Sequence, residues 1–187
     1  MDFLWKIDSN ILLFLQDTVR TPLLTPVMKL ITALGNAGVL WVLITVFLLA
    51  FKKTRRVGMM SALALLISLL VNNILLKNLV ARIRPYEAVD GLTRLVEKQV
   101  DYSFPSGHAG ISFASACVLY RGLPKQAGIP AVVLAALISF SRLYVGVHYP
   151  SDVLAGILIG TAAGFFAEWI WKMLEPRIRM KHRTNHF

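Results

Sequence analysis

Long apolar runs, each closed by Lys and Arg, restrict this chain to folds that cross a lipid bilayer. Lys52, Lys53, Arg55 and Arg56 precede a run from about Val57 to Val80. Arg121 and Lys125 separate the runs Gly107–Tyr120 and Ala127–Tyr144. The run Val153–Trp171 ends at Lys172, Arg177, Arg179, Lys181 and Arg183. A further run, about Gly38–Phe51, begins near Ile31 across the Gly35-Asn36 interruption. Crossing the hydrocarbon core takes about 20 apolar residues in a helix, and Lys and Arg gather at the cytoplasmic flanks of such spans. Composition agrees: 56% of the 187 residues are hydrophobic, only 16% are charged and mean hydropathy is +0.62. Roughly a quarter of the residues of a soluble domain are charged.

The net charge of +10 reads as a topology signal, with attraction to anionic lipid as a side effect. It is not the footprint of a nucleic-acid partner, because the cations sit at the ends of apolar runs. Cys117 lies inside such a run as a small apolar filler and has no second cysteine to pair with. Asp2 and Asp8 interrupt any cleavable leader pattern, so insertion is assigned to the helices themselves. Asp2–Val19 mixes Phe3, Leu4, Trp5, Ile7, Ile11, Leu12, Phe14 and Leu15 with Lys6, Asp8, Asn10 and Asp17, a pattern suited to an interface. Pro22 and Pro26 open another short helix. The expected architecture is an all-α, polytopic membrane bundle of five to six transmembrane helices with an N-terminal amphipathic segment, forming one domain over 1–187.

With Lys52–Arg56 inside, the run Val57–Val80 carries the chain outward and Gly107–Tyr120 brings it back. Ala127–Tyr144 goes out again, and Val153–Trp171 returns to a cytoplasmic basic C-terminus. Lys77, Arg82, Arg84, His108, Arg142, His148 and Asp152 then meet at the outer face, where positive charge is not expected. Ionisable residues near membrane depth point to function. Lys77 and Arg84, about two helical turns apart, suit an oxyanion, Arg as a fork and Lys as a point charge. Arg82 reads as an interfacial anchor that snorkels. Pro105-Ser106-Gly107-His108 reads as a helix start, with a serine cap, a glycine that admits a ligand and free N–H groups for an anion. His148 and Asp152, four apart, pair an imidazole with a carboxylate that fixes its tautomer. Cations, backbone donors and two histidines fit phosphoryl transfer, in which one histidine attacks phosphorus and the other protonates the leaving oxygen.

Asn73 is able to hydrogen-bond near such a site, although interhelical packing is the preferred role for both Asn72 and Asn73. Glu168 snorkels from an inner helix end. The loop Tyr86–Tyr102, with Glu87, Asp90, Arg94, Glu97 and Lys98, is a solvated connector or a lid.

Lys77…Arg84-Pro85, then Pro105-Ser106-Gly107-His108, then Ser141-Arg142…His148…Asp152 resemble, in order and spacing, the K-x6-R-P, P-S-G-H and S-R-x5-H-x3-D motifs of the type 2 phosphatidic acid phosphatase superfamily. These lipid phosphatases are related to vanadium haloperoxidases, and the motif region here is 77–152. The resemblance implies that His148 is the nucleophile, oriented by Asp152, and that His108 is the acid for the leaving group and then the base for water. It implies that Lys77, Arg84, Ser106, Gly107 (through its N–H) and Arg142 hold the phosphate oxygens, with no metal or other cofactor. The sequence has neither an acidic cluster for Mg²⁺ nor an HExxH zinc pattern.

The expected partners are the bilayer and a lipid phosphate within it. Undecaprenyl diphosphate leads, ahead of phosphatidylglycerophosphate, phosphatidic acid and lipid A. A catalytically silent lipid-binding protein is the rival from another class. A transporter would place its polar groups at the bilayer midplane. The motifs read phosphate and leave the lipid and the oligomeric state open.

Overall fold

The computed structural model describes residues 2–184, with side chains described over 3–175. The side chains of Arg177, Arg179, Lys181 and Arg183 in the last basic cluster lie outside the described residues. Helix α1 (Asp2–Phe14) runs on through a π-helical turn, Leu15–Val19. Helices α2 (Leu24–Leu34) and α3 (Val39–Ala50) are joined by a tight turn, Asn36–Gly38. Helix α4 (Arg55–Ser68) continues through π-helical Leu69–Leu76 into α5 (Lys77–Val80). After the short α6 (Pro85–Ala88) and a long loop come α7 (Gly107–Gly122), α8 (Lys125–Tyr144) and α9 (Pro150–Thr184). Among the described residues there is no strand.

Among the described residues, three stretches are long and apolar enough to cross a membrane: Arg55–Ala88, Lys125–Tyr144 and Pro150–Glu175. Leu24–Leu34 and Asn36–Ala50, bent by 44° at their junction, make a fourth if they act as one span. The bundle is therefore all-helical with three to four candidate spans, fewer than the five to six expected. The difference lies in α7, whose 16 residues cover only about 24 Å at 1.5 Å per residue. It also lies in α1, which is shorter still.

Large apolar side chains point outward: Val42, Phe47, Leu66, Ile74, Leu158 and Trp169 are all exposed. In water such a surface would be untenable, whereas in lipid it needs no cover. The interior is built from smaller and more polar groups. α7 buries Ala109, Ser112, Ala114, Ser115 and Ala116 between α4, α8 and α9. The hydroxyls of Thr45, Ser61 and Ser115 form a buried chain, and Trp41 Nε1 donates to Ser112 Oγ at 2.9 Å. These bonds satisfy polar atoms that lipid cannot.

A glycine stripe sets the separation of α7 and α9. A Cβ on Gly156 would lie 2.5 Å from Ser106 O, and one on Gly160 would lie 2.2 Å from Gly110 O. Only glycine allows the two backbones to come this close. The consequence is functional: the N-terminal ends of both helices meet, and the Ser106 N–H donates to Asp152 O at 3.0 Å.

Candidate active site

One end of the bundle gathers all the motif residues. The N-termini of α7 and α9 supply His108 and Asp152, the C-terminal turn of α8 supplies Arg142, and the α8–α9 connection supplies His148. Lys77 follows the π-helical segment, a local widening that often marks functional positions. Ala81 then takes a left-handed conformation (φ 49°), stopping the helix and turning Arg82 and Arg84 into an extended segment.

Lys77, Arg84, Gly107, His108, Arg142 and His148 line one cavity of about 200 Å³, together with Gly35, Asn73, Gln99 and Asp101. Ser106 and Asp152 stand behind this wall. Ser106 is fully buried, with its Oγ 3.5 Å from the Ala109 N–H at the helix start. A Cβ on Gly107 would meet Asn73 Oδ1 at 2.9 Å, so the glycine lets Asn73 close in on the cavity floor. Asn72 has the packing role expected of it, bonded to Ser68 Oγ at 3.1 Å and fitted against Gly110. Asn73 instead forms part of the cavity wall, and its buried Oδ1 has no partner.

Three cations are buried here: Lys77 is 5%, Arg84 3% and Arg142 2% exposed. Arg84 is held mainly by backbone oxygens. Its Nε donates to Asp101 O at 2.9 Å, Nη1 to Val147 O at 2.8 Å and Nη2 to Tyr102 O at 3.2 Å. Arg142 Nη1 donates to Thr32 Oγ1 at 2.7 Å, while its buried Nε has no partner. One carboxylate, Asp101, contacts both Lys77 and Arg84. Burial disfavours its charged form, yet the two cations more than offset this and hold the carboxyl below the usual carboxylate range. Positive charge therefore exceeds negative in the cavity, which suits an anion.

The two histidines face different partners. His148 Nδ1 lies 3.5 Å from Asp152 Oδ2, close to the carboxylate but without a hydrogen bond, and Nε2 lies 3.2 Å from Arg84 Nη1. Burial pushes the His148 imidazole down to about 3; Asp152 pulls the other way, and Arg84 and Arg142 add to the depression. The ring is thus neutral near pH 7, and its Nε2 lone pair, which accepts from Arg84 Nη1 at rest, is the one able to act as a nucleophile. His108 Nε2 lies 3.2 Å from Asn36 Oδ1 in the turn between α2 and α3.

Asp152 is held by more than its histidine. Its Oδ2 accepts from Ser103 Oγ at 2.5 Å and from the Tyr149 N–H at 2.9 Å, and its Oδ1 accepts from Arg82 Nη1 at 2.7 Å. Arg82 is consequently no snorkelling anchor. Its Nη2 reaches Asp8 Oδ2 at 2.8 Å, and its guanidinium lies 3.7 Å over the Tyr149 ring. Asp8 is buried and also accepts from the Ser151 N–H at 2.9 Å. The amphipathic α1 therefore turns Phe3, Trp5 and Ile11 outward and its acid inward.

Sequence reasoning did not find Asp8, Asn36, Gln99, Asp101 or Ser103 as parts of this site. Asp8 is signalled by a charge set in an apolar segment, and Gln99 and Asp101 fall in the 86–102 loop read as a connector or a lid. On the opposite end of the bundle Glu168 pairs with Arg121 and Lys172, so it is an ion-pair partner rather than a free snorkelling side chain.

Residues 57–177 match the PAP2 superfamily. An undecaprenyl-diphosphatase of Sulfolobus acidocaldarius is 39% identical over 127 residues, covering 68% of this chain and 61% of that protein. This chain thus spans about three-fifths of the length of that relative. A lipid A 4'-phosphatase of Bacteroides thetaiotaomicron is 30% identical over 96% of this chain and 83% of its own. The crystal structure of a PAP2-type phosphatidylglycerolphosphate phosphatase from Bacillus subtilis superposes with a TM-score of 0.76 at 29% identity, covering 93% of this chain and 89% of that one. On the match over 57–177, more than half of its length, the chain belongs to the PAP2 superfamily.

Proposed function

We propose that this protein is a membrane lipid phosphatase that removes the terminal phosphate of a lipid phosphate through a phosphohistidine on His148. The observation that carries this is the meeting of His148 and three buried cations in one cavity at the end of an apolar bundle. The Asp152 carboxylate favours the tautomer with the proton on Nδ1, which leaves the Nε2 lone pair for phosphorus. Lys77, Arg84, Arg142 and the Gly107 N–H would take the charge that spreads over the phosphoryl oxygens. As the Nε2–P bond forms, the bond from phosphorus to the lipid oxygen breaks, and that oxygen takes a proton from His108, which is protonated once the phosphate anion has entered beside it. Neutral His108 then takes a proton from water, whose oxygen attacks phosphorus and releases inorganic phosphate and free His148. Every step is assigned to groups of the chain and to water, and none to a metal.

Undecaprenyl diphosphate is the leading substrate, supported by the undecaprenyl-diphosphatase relative. Phosphatidylglycerophosphate, phosphatidic acid and lipid A remain alternatives, the first and last supported by the other two relatives. The positive-inside distribution of Lys and Arg supports placing the site at the extracytoplasmic face, with the C-terminus cytoplasmic. The test is a comparison of phosphate release by the purified full chain from these four lipids under one condition. Fastest turnover of undecaprenyl diphosphate is expected. A clear preference for another lipid would replace that assignment, and no release from any would remove the enzymatic one and favour a lipid-binding role.

A further inference from the structure

The cations of the cavity are not free. Asp101 Oδ2 accepts from Lys77 Nζ, Asp101 Oδ1 accepts from Arg84 Nη2 at 2.5 Å, and Gln99 Oε1 accepts from Arg142 Nη2 at 3.3 Å. All three acceptor atoms come from one short stretch of the loop before α7. Each of them engages a different cation, as the oxygens of a bound phosphate could. We infer that Asp101, helped by Gln99, is a specificity-determining residue: it occupies the phosphate cradle in the resting protein and admits only a ligand that carries a terminal phosphate.

Three features of the site support displacement rather than a permanent ion pair. The Asp101 side chain is 46% exposed, against 6% for Lys77 and 4% for Arg84, so it reaches the cations from the open side. Arg84 does not depend on that carboxylate, because the backbone oxygens of Asp101, Tyr102 and Val147 continue to hold it. Arg142 retains Thr32 and has a buried Nε with no partner, a donor that neither Asp101 nor Gln99 satisfies.

The competition sorts ligands by charge. A phosphomonoester or terminal diphosphate carries about −1.5 to −2 near pH 7 and offers three acceptor oxygens. It outbids one carboxylate and also supplies the missing partner of Arg142. A phosphodiester headgroup carries a single charge and offers two free oxygens, which only match what Asp101 already provides. Bilayer phospholipids are mostly diesters and greatly outnumber any lipid phosphate. A cradle with an internal carboxylate would reject them, whereas an open cradle would fill with them. The identity of the ligand as a lipid phosphate rests on the function proposed above; the competition itself requires only an anion.

The test measures binding, so it does not depend on turnover. Calorimetry on the full chain in detergent, with inorganic phosphate and separately with a short-chain phosphatidylglycerol as probes, compares wild type with Asp101→Asn and Asp101→Ala. Both variants should bind inorganic phosphate at least about tenfold tighter, equivalent to about 1.4 kcal/mol, and should gain affinity for the diester. A merely structural Asp101 would give weaker binding on substitution, and unchanged or weaker phosphate binding overturns the inference. Should neither Asp101 variant fold, Gln99→Ala frees Arg142 alone and should tighten phosphate by about threefold; no tightening there also overturns it. Tighter binding in the variants, without phosphate release from any lipid by wild type, would sustain this inference and remove the proposed activity.

Discussion

Arg82 Nη1 lies 2.7 Å from Asp152 Oδ1, although neither residue follows the other closely in the chain. Through this contact the partner of His148 is tied to α1, because the same guanidinium holds buried Asp8. Arg82 does not line the cavity that holds Lys77 and His148, so its expected effect on chemistry is through the aim of Asp152 and His148. Arg82→Ala should lower kcat at least about tenfold, since small misplacements of reacting groups are costly. KM should change little, and Arg82→Lys, with one donor point in place of a fork, should fall between. Steady-state kinetics on a soluble lipid phosphate decides this; a rise in KM alone would contradict it.

Asp8 makes the N-terminal segment part of the site. Asp8→Ala removes the acceptor for Arg82 Nη2 and for the Ser151 N–H. Losing charge-assisted bonds of this kind costs about 1–3 kcal/mol. Thermal melts in detergent should show a lower Tm, accompanied by a fall in kcat. A variant that melts lower but turns over normally would show that α1 stabilises without positioning.

The His148 imidazole has a direct consequence for pH. Its value is lowered from 6.5 to about 3, so between these limits the unfolded chain binds a proton that the folded chain does not. Stability must then rise with pH across that window and fall as pH drops from about 6.5 toward about 3. Melting temperature against pH should show this slope in wild type and a shallower one in His148→Gln. Equal slopes would mean that other groups dominate acid unfolding.

Close approach of α7 and α9 gives a test of the scaffold. Gly160→Ala places a Cβ 2.2 Å from Gly110 O, on backbone that has no side chain to move aside. Overpacking of this kind costs about 1–3 kcal/mol, and it separates the ends that carry His108 and Asp152. Both Tm and kcat should fall. Leu158→Ala, on the exposed side of the same helix, should leave kcat unchanged.

These relationships mark the limit of what the sequence made legible. Lys77, Arg84, His108, Arg142, His148 and Asp152 were readable because each sits in a short motif with fixed local spacing. The structure brings those motifs to one cavity. Asp8, Asn36, Gln99 and Asp101 were not readable, because each acts on a partner far along the chain and carries no local pattern. Arg82 was misjudged for the same reason: on its own segment it resembles any interfacial arginine, and only Asp8 and Asp152 reveal its role. The three to four candidate spans do not confirm the count of five to six, because α7, buried among other helices, is short and carries small and polar residues.

The central claim is that phosphate passes through His148. Rapid quenching of the enzyme with undecaprenyl diphosphate labelled in its terminal phosphate, followed by mass spectrometry of the labelled peptide, tests it most directly. The account expects an acid-labile phosphoryl group on His148, formed with excess EDTA present and absent from His148→Ala. Normal turnover by His148→Ala, or complete loss of labelling on chelation, would contradict it.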